Sequence, residues 1–424
     1  MPPFRAFRRV RSIPLLVALS LWSVGMLAPT ATAQVSPPES VTVNSRAYEI
    51  VTNLTKDELK DLANHMDATY AAFDRMFSAF RTKNAKRVKL YLWADRNDYV
   101  QHGFSIGADL RASGGVFFSR DGEAGVSTWV RGQPSGWLRE VLQHEAFHQF
   151  ADLRFGDTLP MWVNEGLATY FQHARLVDGR MVLAAAPRDR IEELHKAFES
   201  GDAFTFAEMV DMTNRRWWEV LNTEPHRASL LYTQSWSMAH FLVHADRGKY
   251  ERLFLKYLRR IAQGWEHDAA FKDAFRTDDK SAFQRAWKEY VLEELKPDLI
   301  TEATERLEFI AEGMLAVHAD GFEFETLEEL RGELKRRRFS VSREHDGQRR
   351  RTLVSDEMFE APQPAEPERR RSRGGSTGPT LELVEAADGV PLPGVVVEGL
   401  KVDVELKWTL DEAGQPFYLV EYDD

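Results

Sequence analysis

The stretch Val141-Leu142-Gln143-His144-Glu145-Ala146-Phe147-His148-Gln149-Phe150 constrains the fold of this chain more than any other. A helix turns once in about 3.6 residues, so His144 and His148 leave one face with their imidazoles one above the other, aimed at a common point. Glu145 leaves the helix about a third of a turn away, within reach of whatever the imidazoles hold. A second helix is announced by Leu159-Pro160-Met161-Trp162-Val163-Asn164-Glu165-Gly166-Leu167-Ala168-Thr169-Tyr170-Phe171. The 16 residues between His148 and Glu165 suffice for the rest of one helix, a turn with Gly156 at the C-cap position, and a new start. If the second helix packs beside the first, Glu165 joins the histidine pair. The alternative is a solvated helix glutamate, which its apolar neighbours Trp162, Val163, Leu167 and Ala168 argue against.

Two imidazoles and a carboxylate form a ligand set for one Zn²⁺ per chain, with a fourth position left for water, as in catalytic rather than closed structural sites. An ion so held lowers the pKa of water to about 7, and Glu145 is the candidate general base. The chain has no cysteine, which excludes a thiol nucleophile and thiolate ligands.

The strings His144-Glu145-Ala146-Phe147-His148 and Trp162 to Phe171 resemble the gluzincin metallopeptidases, the clan of thermolysin and the zinc aminopeptidases. The W-x-N-E-G-x-A-x-Y-F string is close to the aminopeptidase form. The short separation and the Leu-Pro-x-Trp lead-in are similar to a set of secreted bacterial peptidase-MA-like proteins. Specific matches run from Ser135 to Phe171, with a looser resemblance from about Ser45 to Leu295. The resemblance implies an α+β fold in two lobes, a strand-rich N-terminal lobe with the zinc helix and a helical C-terminal lobe, acting on a peptide or protein substrate.

It also implies an edge strand that holds the substrate backbone, for which 114–118 is the candidate; an ordinary core hairpin is the other reading. An oxyanion donor is implied in the helical lobe. Tyr232 matches best, against the alternative of a core tyrosine, with His240 and His226 as weaker candidates. Asn164 and Thr169 are candidates to support the ligands from behind, or else make local helix contacts. No G-x-M-E-N segment precedes the zinc helix. This favours an endopeptidase over an aminopeptidase.

The rest of the chain supplies address and organisation. Arg5, Arg8, Arg9 and Arg11, the apolar run 13–28 and Ala31-Thr32-Ala33 read as a signal peptide over 1–33, cleaved near Ala33, for periplasmic or extracellular export without a stable membrane span. A leader covers 34–40 and the peptidase-like domain 41–315. One strand is expected over 41–52, a long amphipathic helix over 56–80, strands over 87–93, 115–118 and 125–130 with a turn at Asp121-Gly122, and Ser135 as N-cap of the metal helix. Helices are expected over 187–199, 206–213, 230–244, 250–263 and 279–295, with a charged helix at 301–314. A small α/β extension follows at 316–360 with a turn at Asp346-Gly347, then a linker at 361–379 and a β segment at 380–424.

A net charge of −11 argues against a nucleic-acid partner. The reading that follows is a secreted zinc metallopeptidase. The alternatives are hydrolysis of a non-peptide ester or amide, and an inactive relative serving as a cell-envelope scaffold, against which the intact Glu145 speaks. Oligomeric state is open.

Overall fold

The computed structural model describes residues 36–81, 86–120, 123–177, 179–183, 185–345, 348–364, 378–410 and 414–423. The expected signal peptide, the turns at Asp121-Gly122 and Asp346-Gly347, and residues 365–377 of the expected linker lie outside them. The fold is α+β, with a sheet-rich N-terminal region, a helical middle and a C-terminal sheet.

The first sheet contains β1 (Val41–Asn44), β2 (Tyr48–Thr52), β3 (Val88–Trp93), β4 (Gly115–Arg120) and β5 (Glu123–Trp129), in the order β1-β2-β3-β5-β4. The three inner strands are parallel, and the edges β1 and β4 are antiparallel to their neighbours. The single strand expected over 41–52 is thus two. Asp67 of α1 (Lys56–Met76) accepts from the Ser45 hydroxyl and from the Arg46 and Ala47 N–H groups, pinning a turn that alternation alone reads as straight chain. A capping box between Thr55 and Glu58 starts α1. The helix α2 (Arg96–Ser105), absent from the sequence reading, begins at an Asp95 cap and packs Tyr99 beside Tyr91, Trp93, Val116 and Phe118 on one sheet face.

On the other face lie α1 and α3 (Ser135–Phe155), the helix of the two histidines. Phe73 sets its ring edge-on to Phe147 and to Phe171 of α4 (Met161–Gln172), tying the three helices through one aromatic cluster. Ser135, expected as an N-cap, is instead the first residue of α3, and its buried hydroxyl has no hydrogen-bond partner among the described residues.

After α4 come a short hairpin of β6 (Arg175–Val177) and β7 (Arg180–Val182), then α5 (Arg188–Ser200), α6 (Phe206–Val210), α7 (Asn214–Thr223), α8 (Pro225–Gly248), α9 (Glu251–Ala262), α10 (His267–Phe275) and α11 (Lys280–Glu289). α8 is buried along most of its length, and α4 crosses it at Gly166. Any Cβ there would collide with the Ser235 carbonyl, so the crossing requires glycine. α7 and α10 are additions to the sequence reading, and Pro225 opens α8 at a position where its missing N–H costs nothing.

The C-terminal region contains α12 (Leu299–His318), α13 (Leu327–Arg336), a hairpin of β8 (Ser340–His345) and β9 (Gln348–Leu353), and an antiparallel sheet of β10 (Thr380–Val384), β11 (Gly394–Glu398), β12 (Asp403–Leu410) and β13 (Pro416–Asp423). Ile310, Met314 and Val317 of α12 pack with Val395, Val404, Leu406 and Val420 in a second core. The helix read as the end of the 41–315 unit therefore buries its apolar face with the last four strands. Among the described residues no helix is long and apolar enough to cross a membrane.

Candidate metal centre

The two helices do what their spacing implies. His144 and His148 meet edge-on on α3 with ring centroids 4.8 Å apart, and Glu165 rises from α4 beside them. Nε2 of His144 lies 3.1 Å from Nε2 of His148, and Oε2 of Glu165 lies 3.5 and 3.6 Å from these two atoms. Ligand atoms about 2.0–2.2 Å from a tetrahedral zinc stand about 3.3–3.6 Å from one another. The three atoms therefore outline one face of such a tetrahedron.

Both rings are oriented from behind. His148 Nδ1 lies 3.2 Å from Oδ1 of Asn164, and His144 Nδ1 lies 3.0 Å from Oε1 of Gln172, the last residue of α4. An amide oxygen only accepts, so each Nδ1 carries the proton and each Nε2 presents a lone pair toward Glu165. Two lone pairs and a carboxylate facing one point repel unless a cation stands among them, so the donor set fits a metal ion. Without an ion a proton takes that part. Burial pushes the His148 imidazolium down, yet Glu165 and Glu145 overcome this and hold it at about 9. Burial likewise pushes Glu165 up, and the two imidazoles hold it down at about 2.

Glu145 is buried and stands outside the triad. Its Oε2 accepts from the Phe117 N–H at 2.6 Å. β4 is an edge strand, so this N–H faces away from the β5 ladder and is free to reach α3. Gln143, one residue before the triad, clamps the end of α4. Its amide nitrogen lies 2.6, 2.8 and 3.1 Å from the carbonyls of Phe171, Gln172 and Ala174, while its oxygen meets His65 Nε2 at 2.7 Å. The Phe171 and Gln172 carbonyls stand in the last turn of α4, where a helix leaves carbonyls without α-helical partners, and Ala174 lies just beyond it, so one side chain both caps α4 and holds Gln172 in place for His144.

Of the residues named from sequence, His144, His148, Glu165, Glu145 and Asn164 come together. Thr169 is buried on α4, and among the described residues its hydroxyl has no hydrogen-bond partner. Tyr232 is buried on α8, its ring edge-on to Trp217 of α7 at 5.7 Å, in the packing between those helices. Gln172 and Gln143 were missed. Gln172 follows Glu165 by seven residues, two turns along the same face, and that spacing was the available signal.

Residues 140–263 are similar to a family described only as a protein of unknown function, DUF1570. The match begins inside α3 and ends after α9, so it takes in the triad, Glu145, Asn164, Gln172 and Tyr232, and leaves out the five-stranded and four-stranded sheets. No curated protein matches the chain.

Proposed function

We propose that this chain is an exported zinc metallopeptidase with the two-lobe gluzincin arrangement, the first sheet and α3 on one side and the helices from α4 to α11 on the other. The observation that carries the reading is the convergence of His144 Nε2, His148 Nε2 and Glu165 Oε2, with Glu145 held beside them on the free edge of β4. His144, His148 and Glu165 are the proposed ligands. Zinc, when bound there, supplies Lewis acidity, making water a nucleophile near neutral pH and polarising the carbonyl under attack.

The remaining steps belong to the chain itself. Glu145 takes the proton of the attacking water. Its Oε2 is already engaged by Phe117, so the proton is carried on Oε1 and passed on to the leaving amine. On either side of the Phe117 N–H that Glu145 engages, the outward backbone of β4 offers an extended peptide groups to pair with, which sets the scissile bond over α3. Gln172 and Asn164 keep the imidazole tautomers that binding requires. Export rests on the N-terminal basic, apolar and A-x-A pattern.

Glu145→Gln tests this directly. Zinc content and melting temperature stay near wild type, while cleavage of a peptide library, read by mass spectrometry with free and blocked N-termini, falls by about 10²-fold or more. Equal cleavage by both proteins would remove Glu145 from the mechanism. No cleavage by wild type would leave the scaffold or non-peptide reading.

A further inference from the structure

Beside the triad a cavity of about 180 Å³ opens from His148, lined by Asp152, Asp157, Met161, Asn164, Asn214 and Trp218. It is smaller than the ~300–1,000 Å³ that encloses a whole small-molecule ligand. It has room for one side chain or one chain end. Its position is set by the metal helix itself, because Asp152 follows His148 by four residues and so projects along the same face of α3. Ser119, toward the far end of β4, stands near enough to Asp152 to favour its charged form, so the cavity lies where the edge strand and the metal helix meet.

Apart from His148 at its triad end, the charged lining of this cavity is acidic. Burial, and then the like charge of Asp157, raise the Asp152 carboxyl above the usual carboxylate range. Neither aspartate is in an ion pair among the described residues. Two carboxylates facing one space are relieved by a cation between them. Trp218 also lines the cavity, an aromatic side chain of the kind that attracts cations, and Leu159 and Met161 offer apolar surface for an aliphatic stem.

We propose that this cavity receives a cationic group of the substrate, an ammonium or guanidinium, beside the bond presented to the metal centre, with Asp152 and Asp157 as its anionic partners and Trp218 as its aromatic wall. That the occupant is part of a peptide rests on the function proposed above. The cationic preference rests on the cavity alone.

The experiment uses the full chain carrying Glu145→Gln, loaded with zinc, so that binding is read without turnover. The probes are amidated, acetyl-capped oligopeptides identical except for one scanned position holding Lys, Arg, norleucine or Glu, together with the uncapped norleucine peptide. At one position Lys and Arg bind about tenfold or more tightly than norleucine, and Glu binds more weakly than either. Added Asp152→Asn and Asp157→Asn bring Lys and norleucine to parity without loss of zinc. Asp157→Asn alone, at an exposed residue, lowers the preference severalfold and keeps the result readable should the double variant be unstable. If the uncapped norleucine peptide gains instead, the cationic group is the peptide N-terminus, and the cavity is still the site.

Equal binding of cationic and neutral peptides, no binding of any peptide, or a preference unchanged in the aspartate variants overturns the proposal. Charge-selective binding by the Glu145→Gln chain with no cleavage by wild type sinks the peptidase reading and leaves the cavity assignment standing.

Discussion

The buried faces of α3 and α4 carry Gln143, Glu145, His148, Glu165, Thr169 and Gln172 among their apolar residues, whereas the inward faces of β11 and β12 carry Val395, Val397, Val404, Leu406 and Trp408. The polar partners of the C-terminal sheet stay outside, as where Lys407 bridges Glu405 and Glu421. Burying a polar group costs free energy unless it is hydrogen-bonded. The sheet avoids the cost by strict alternation. α3 and α4 accept it and offset it through long-range pairs such as Gln143 with the α4 terminus and Glu145 with Phe117. The contrast teaches that burial in the C-terminal sheet serves stability alone, while around His144, His148 and Glu165 it also fixes orientation, so perturbing each should have different consequences.

Acid should separate them most strongly. His65, His102 and His173 all precede α12, and burial pushes them down to about 3, 4 and 4. Unfolded, they take up protons near pH 6.5, so below that pH the unfolded state binds more protons and the fold loses stability. The loss is about 1.4 kcal/mol per pH unit for each group until its folded pKa is reached. Hydrogen exchange on the metal-free chain between pH 7 and 5 should show protection falling in 41–298 ahead of 299–423. A uniform fall would break the distinction.

Leu406→Ala comes next. Leu406 is fully buried between the C-terminal sheet and α12, and its truncation should cost about 2–5 kcal/mol. Calorimetry should register the loss while zinc affinity at 25 °C stays unchanged. A weakened zinc site would mean that the C-terminal core also sets the metal geometry.

Gln172→Ala carries the smallest effect on stability and the sharper one on function. The melting temperature of the metal-free chain should move little, while zinc affinity, measured by competition with a chelator, falls about 10–100-fold because the His144 tautomer is no longer held. Unchanged affinity would show that the amide merely caps packing.

Much of this was legible in advance, for reasons that particular residues make plain. The aim of His144 and His148, the Gly156 turn and the alternation that becomes β12 all depend on contacts within a turn or two of chain, where backbone periodicity alone decides the direction of a side chain. That same locality misled where a distant group intervened. Asp67 folds 41–52 into two strands from about twenty residues away, and α12 reads as a continuation of the helices before it until the last four strands cover its apolar face. By itself, then, the sequence determined a helix bearing His144 and His148 on one face and a second helix bearing Glu165. Which amide turns each imidazole, which edge-strand N–H holds Glu145 and which walls enclose the aspartate-lined cavity were decided only in the tertiary structure. Each of these pairs elements 16 or more residues apart, and helical or strand periodicity carries no information about such a distance.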